Sequence, residues 1–316
     1  MSVVLICRRL LPAGLAELEG FELRVGGLDA TREQLLELAL GAAAIIPDPT
    51  VPIDGPLLDA AGSELKVVAN FAVGYDNVDL DACRERGIVV TNTPDVLTNA
   101  TAELALALTL AAARRMSEAE RELRNGRWSG WDPGEMLGLE LSGATFAVIG
   151  LGRIGRRYAE LARGLAGELL YVSPTAKPEA ERELGAVRAE LGEALDAADV
   201  VTLHAPANPE TRHLIGAAEL ARIGPDGVFV NTSRGSLVDS EALAAALRDG
   251  VLGAAGLDVY EGEPQVPQAL IEAPRAVLLP HIGSATTKSR DGMARTAARN
   301  VVAVLSGEPP LNPVLG

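Results

Sequence analysis

Three short polar clusters follow apolar runs in the last third of the chain. Arg234-Gly235 comes after VFVNTS, Glu261-Gly262-Glu263-Pro264 after AAGLDVY, and His281-Ile282-Gly283-Ser284 after AVLLP. Singly, each has a plain interpretation: a surface ion pair, a turn residue, a hydrogen-bonded histidine. Together they offer a guanidinium with a two-bond grip for a carboxylate, an imidazole for proton transfer, and a carboxylate able to orient that ring. Sites in open α/β sheets lie beyond the carboxyl ends of the strands, where all three clusters fall, so the set is the candidate reaction centre. The other two histidines, His204 and His213, sit in TLHAPANPETRHLI. His204 ends a strand-like run and is placed to line a cofactor site, whereas His213 reads as structural.

A second chemical signal is Gly150-Leu151-Gly152-Arg153-Ile154-Gly155, which closes the apolar run ATFAVIG and opens the helical stretch RIGRRYAELARGL. In that strand-to-helix context, glycines allow a tight turn and close approach of a pyrophosphate to the helix N-terminus. An NAD site then expects an acidic residue at the end of the next strand, to bind the ribose hydroxyls. Here that strand is ELLYV and the position is Ser173, followed by Pro174-Thr175-Ala176-Lys177. Hydroxyls and one of only three lysines replace the carboxylate, so the extra phosphate of NADP is tolerated. Pro174 has no donor where a guanidinium would be ideal, and Glu179 lies close enough in sequence to oppose a phosphate. The expectation is NADP or NAD, with NADPH modestly favoured.

The elements that must position these residues are legible from periodicity. VVLIC (3–7), AAAII (42–46), KVVAN (66–70) and GIVVT (87–91) alternate with helical stretches, TREQLLELAL (31–40) being the clearest. ATFAVIG (144–150), ELLYV (168–172), DVVTLHA (199–205), GVFVNTS (227–233), AAGLDVY (254–260) and AVLLPHI (276–282) form a second series. Such alternation specifies two doubly wound α/β units with parallel sheets. Between them, NATAELALALTLAAARR is too short and Ala-rich to span a membrane and fits a buried interdomain or interface helix. The segment 124–143, dense in Gly, Pro and Trp, is a connector with a domain boundary nearby. The stretch 286–307 is one amphipathic helix.

Composition removes several functions. With 43 acidic against 28 basic residues the net charge is −15, which repels a phosphate backbone or anionic membrane. Aromatics at 3% exclude stacking platforms for single strands. Nucleic acid and membrane partners are therefore not expected. Cys7 and Cys83 form no disulfide framework or metal pair, and no metal site is expected. The start MSVVLICRRLLP lacks the pattern of a secretory signal, so a cytoplasmic protein is expected.

The chain resembles the D-2-hydroxyacid dehydrogenase family, and within it most closely the glyoxylate/hydroxypyruvate reductases. The resemblance spans nearly the whole chain. It is carried by residues 71–108, VIGLGRIG (148–155), LHAPANPETRHLI (203–215), VNTSRGSLVD (230–239), GLDVYEGEP (256–264) and LPHIGSAT (279–286). It implies that Arg234, Glu263 and His281 are catalytic, and that Val73 and Gly74 present backbone amides to the substrate carboxylate. It implies cofactor contacts from Thr101, Leu151, Gly152, Arg153, Ile154, Gly155, Ser173, Pro174, Thr175, His204, Pro206, Thr211, Thr232, Ser233, Arg234, Asp258, His281 and Gly283; Lys177 joins them on the residue argument above. Two Rossmann-like or flavodoxin-like domains with a cleft between them are implied. Residues 1–97 plus 286–316 would form the substrate domain, and 98–285 the dinucleotide-binding domain. The implied activity is reduction of a small 2-oxo acid such as glyoxylate or hydroxypyruvate to the D-2-hydroxy acid. A homodimer with the Trp128/Trp131 arm near its partner is also implied. Phosphoglycerate or another 2-hydroxy acid is an alternative substrate, and a non-catalytic NAD(H)-sensing corepressor-like protein is an alternative role. Family members that use NADP often carry Arg where this chain has Pro174.

Overall fold

The computed structural model describes residues 1–314; Leu315 and Gly316, at the end of the expected substrate domain, lie outside the described residues. The chain divides into two compact units, Met1–Leu97 with the described part of Ser284–Gly316, and Thr98–Gly283.

The first unit carries strands β1 (Val3–Ile6), β2 (Glu22–Val25), β3 (Ala42–Ile46), β4 (Val67–Ala69) and β5 (Val89–Thr91). They form one parallel sheet ordered β2-β1-β3-β4-β5, the flavodoxin-like order. Every residue of β3 is buried, as a central parallel strand covered on both faces requires. β2 was not expected. Its sequence ELRV does alternate polar and apolar residues, but over only four positions, with Leu23 and Val25 exposed at the sheet edge, the alternation is too short to single it out. The helix Arg32–Ala39 begins at Thr31 with a complete capping box to Gln34. The helix Thr287–Leu305 packs on the Pro12–Leu15 helix and on β3 and β4, burying Met293, Ala294, Ala297, Ala298 and Val301.

The second unit carries β6 (Ala144–Ile149), β7 (Ala166–Val172), β8 (Val187–Arg188), β9 (Val200–Leu203), β10 (Val228–Asn231), β11 (Ala254–Leu257) and β12 (Ala276–Leu278). All pair in parallel, in the order β12-β11-β10-β9-β6-β7-β8. The order reverses between β6 and β9, so the carboxyl ends of these strands border the crevice where ligands of such sheets bind. The helix Thr98–Ala113 belongs to this unit, lying against β10–β12 and the helix Arg153–Ala162. Gly256 in β11 permits its close approach, since a Cβ there would stand 3.0 Å from the Leu108 Cβ. The Gly- and Pro-rich stretch 124–143 lies within this unit and not at a junction, which corrects the boundary expected nearby. Beyond Arg124, which ends the helix Met116–Arg124, its backbone has no helix or strand. Cys7 and Cys83 are both buried and free, and burial pushes their thiols up to about 12 and about 11. Among the described residues, no helix is long and apolar enough to cross a membrane and no His/Cys/Asp/Glu cluster could hold a metal ion.

Candidate active site

The ends of β10, β11 and β12 converge on one pair of side chains. His281 Nδ1 and Glu263 Oε2 are 2.6 Å apart, and the other carboxylate oxygen of Glu263 accepts the Tyr260 N–H at 2.8 Å. Burial alone would raise the Glu263 carboxyl. The hydrogen bond and charge of His281, the Tyr260 N–H and the Arg234 guanidinium outweigh it, holding the group ionised below the ordinary glutamate range. With Nδ1 bound to this carboxylate, Nε2 is left for chemistry. His281 is about one-third exposed, so that edge can meet a ligand.

The loop that presents His281 is held against its own preference. His281 has φ of 53°, the left-handed region, which costs a non-glycine residue on the order of 1 kcal/mol or more. Asp258, at the end of β11, holds it there with three bonds. Its carbonyl accepts the His281 N–H at 2.9 Å, and its two carboxylate oxygens accept the Ile282 and Gly283 N–H groups at 2.7 Å each. Burial raises the Asp258 carboxyl, partly offset by those two amides. Asp258 is 1% exposed, so the structure gives it an anchoring task. Thr101, from the first turn of the Thr98–Ala113 helix, is buried beside Gly283 and within 3.6 Å of where a Cβ there would stand.

Arg234 is brought up by Gly235. A Cβ at Gly235 would lie 1.8 Å from the Tyr260 carbonyl carbon and 2.1 Å from the Glu261 nitrogen, so only glycine lets the β10 loop touch the β11 loop. Asn231 fixes the turn by donating to the Arg234 carbonyl and accepting from the Ser233 N–H, both at 2.9 Å. Arg234 Nη1 donates to the Ser233 carbonyl at 2.9 Å. Gly235, Tyr260 and Asn231 are residues that spacing along the chain did not reveal. The only signal was their adjacency to Arg234 and Glu263. Glu261, the other carboxylate in that cluster, turns away to Arg212 and to His213 Nε2 at 2.8 Å.

At the glycine-rich turn the three glycines divide into two kinds. Gly150 has φ of 96°, and its Cβ would meet the Ala205 nitrogen at 2.6 Å; the Gly155 Cβ would meet the Gly150 oxygen at 2.2 Å. Both are required by the protein's own packing. Gly152 has an ordinary φ of −81°, caps the Arg153–Ala162 helix, and its Cβ would meet nothing within 4 Å. Neither strain nor packing explains glycine there, while close approach of a pyrophosphate to the helix N-terminus does. Among the described residues the buried Thr232 hydroxyl has no hydrogen-bond partner, a second sign of a polar ligand at the end of β10. A dinucleotide therefore fits the residues present.

Further expected residues lie around this turn with varied duties. His204 follows β9. It keeps an exposed edge, but its Nε2 is 2.9 Å from the Thr202 hydroxyl, its ring is 5.3 Å from Tyr158, and burial pushes the imidazole down to about 3, so it is neutral. Ser233 donates to the Ala205 carbonyl at 2.5 Å, and the Thr211 hydroxyl to the Pro206 carbonyl at 2.8 Å, closing the 205–211 loop. Beyond β7, Pro174 and Thr175 are exposed and Ser173 and Lys177 half-buried. The Lys177 N–H donates to the Tyr171 hydroxyl at 2.8 Å. Glu179 accepts from Arg156 at 2.9 Å, which offsets the opposition to a phosphate expected of it. Val73 and Gly74 lie in the first unit. Their carbonyls accept from Asn92 and Asn70 at 2.8 Å each, while among the described residues no hydrogen bond engages either N–H.

Residues 106–283 match the family model of the D-isomer specific 2-hydroxyacid dehydrogenase NAD binding domain. The chain is similar to the glyoxylate reductase of Thermococcus litoralis, at 43% identity over 98% of this chain and 95% of that protein. Among solved structures, a protein of Thermus thermophilus superposes with a TM-score of 0.92 at 44% identity, covering 99% of this chain and all of that one. The NADPH-dependent glyoxylate/hydroxypyruvate reductase of Sinorhizobium meliloti, in complex with NADP and malonate, gives 0.86 at 37% identity, covering 99% and 96%. The strand order, the glycine-rich turn and the Glu263–His281 pair thus stand in a sequence that matches this family over almost its full length, and the chain belongs to the D-isomer specific 2-hydroxyacid dehydrogenases.

Proposed function

We propose that the protein reduces a small 2-oxo acid, glyoxylate or hydroxypyruvate, to the D-2-hydroxy acid. The observation that carries this reading is the 2.6 Å contact between Glu263 and His281 Nδ1, with Arg234 close enough to act on the same carboxylate. When bound, the reduced nicotinamide supplies the hydride. Arg234 grips the substrate carboxylate, which fixes orientation and removes part of the entropic barrier. The Val73 and Gly74 N–H groups add donors to that carboxylate, as their lack of partners among the described residues supports. His281 holds a proton on Nε2 and delivers it to the carbonyl oxygen as the alcohol forms. Glu263 stabilises the protonated ring and sets its orientation, while Asp258 and Thr101 keep the His281–Gly283 loop in place.

Thr232, Ser233, His204, Pro206 and Thr211 line the cofactor side, with Ser173, Pro174, Thr175 and Lys177 at its ribose end. A 2′-phosphate is admitted there because no acid stands at Ser173, which favours NADPH modestly over NADH. The unit Thr98–Gly283 is the dinucleotide-binding domain, and the other unit the substrate domain. The protein works in the cytoplasm as a homodimer. Exposure of Trp128 and Trp131, at 61% and 84%, supports a partner face on the 124–143 segment.

The test is a spectrophotometric screen of glyoxylate, hydroxypyruvate, pyruvate and phosphohydroxypyruvate with NADH and NADPH in parallel. Turnover highest on glyoxylate or hydroxypyruvate, and lost in His281→Asn, is expected. Tight cofactor binding with no turnover on any of the four would replace the enzyme by a nucleotide-sensing protein. Preference for phosphohydroxypyruvate would move the substrate to a phosphorylated acid.

A further inference from the structure

The turn that follows β7 is clamped by a cation that no acid neutralises. Arg188, the last residue of β8, lies beside Tyr171 in the sheet register. Its Nε donates to the Ser173 carbonyl at 3.1 Å and its Nη2 to the Pro174 carbonyl at 2.9 Å. Among the described residues it forms no ion pair, although its surroundings are acidic. Glu179 and Glu183 are taken by Arg156, and Glu181 accepts from the Tyr171 hydroxyl at 2.5 Å. Glu190, two residues on, is exposed and caps the helix Leu191–Ala197. A guanidinium has five N–H donors, so two bonds to carbonyls leave three. Arg188 is exposed, so those three are open to a ligand.

We propose that Arg188 is the residue that selects a 2′-phosphorylated adenosine, acting from β8 in place of the donor that Pro174 cannot supply. The inference rests on the reading of 173–177 as a phosphate site. Two carbonyl bonds hold the planar fork at the Ser173–Pro174 turn before ligand arrives, so little side-chain freedom is lost on binding. The Ser173 and Thr175 hydroxyls and the Lys177 ammonium complete a set of donors with no carboxylate among them. Chain spacing alone gave no hint of it, because Arg188 is 14 residues from Pro174 and on a two-residue strand.

The experiment is calorimetric titration of the intact protein with 2′,5′-ADP and with 5′-AMP, in the parent, Arg188→Ala and Arg188→Lys. The parent should prefer 2′,5′-ADP. Arg188→Ala should weaken 2′,5′-ADP by about tenfold or more, allowing for solvent screening, and leave 5′-AMP nearly unchanged. Arg188→Lys, which keeps the charge and one donor direction, should fall between. Equal weakening of both ligands in Arg188→Ala would show a loop clamp only and overturn the proposal. Retained preference in that variant would overturn it too, leaving the phosphate site to Lys177 and the hydroxyls. A parent without preference would remove both the proposal and the reading of 173–177 beneath it.

Discussion

Alanine substitutions at Gly152 and Gly155 should separate what the fold needs from what the cofactor needs. At Gly152 two opposing effects of the new methyl nearly cancel. A residue with ordinary φ gains about 0.4–1 kcal/mol from reduced freedom of the unfolded chain. Alanine is a poorer helix N-cap than glycine by about 0.5–1 kcal/mol. The net change is within about 0.5 kcal/mol, so Tm should stay within about 2 °C of the parent. Gly155→Ala drives its Cβ to 2.2 Å from the Gly150 carbonyl oxygen, which only a backbone shift can relieve. Overpacking of that severity costs about 3 kcal/mol, and the helix preference for alanine returns about 1. A net loss of about 2 kcal/mol corresponds to a fall of about 4–8 °C. Binding should run the other way for Gly152→Ala: a methyl under the pyrophosphate should weaken NADPH and NADH alike by about 5- to 150-fold, the equivalent of about 1–3 kcal/mol of overpacking. Differential scanning fluorimetry and quenching titrations read the two quantities separately. A Gly152→Ala protein with parental affinity would remove the pyrophosphate from this turn. One as destabilised as Gly155→Ala would show that the protein, and not the ligand, demands glycine there.

His281→Asn should bind cofactor normally and lose about 10²- to 10⁴-fold in kcat; asparagine tolerates the left-handed φ of 53°, so a normal kcat could not be blamed on loop collapse and would remove His281 from proton transfer. Arg234→Lys should raise KM and lower kcat, because a point charge cannot reproduce a planar two-bond grip, and unchanged constants would place the carboxylate elsewhere. Glu263→Gln removes the anion that balances the protonated ring, so 2-oxo acid reduction should fall away at lower pH than in the parent; superimposable pH–rate profiles would rule that role out. The lowered Glu263 carboxyl also has a stability consequence: its contribution is complete above the unfolded glutamate value near 4.5 and is lost as pH falls through the lower folded value, so acid unfolding of Glu263→Gln should show a shallower slope below pH 4.5. Ser173→Asp should turn a preference for NADPH into one for NADH by repelling the 2′-phosphate, and kcat/KM ratios that do not move would take Ser173 out of the ribose site.

Much of this protein is written locally. The glycine spacing at 150–155, the apolar runs that became the two parallel sheets, the Thr31 cap and the 3.6-residue period of the tail helix depend on neighbours within a few positions, and such neighbours are visible in a string. The same holds for placing Arg234, Glu263 and His281 just past strand ends. Spacing along the chain could not decide which carboxylate meets His281; the family resemblance pointed to Glu263. Glu261 and Glu263 stand two residues apart, and in the folded chain, with Gly235 seated against the Tyr260–Glu261 backbone, one goes to Arg212 and His213 and the other to the imidazole. Likewise only the tertiary structure shows that the Asp258 carboxylate holds the Ile282 and Gly283 amides. The four-residue edge strand β2 and the two-residue β8 are too short to carry a clear period, and with β8 went Arg188. These features come from contacts between segments far apart in sequence. Strand order and loop-on-loop packing create them, and no period or spacing along the chain encodes either.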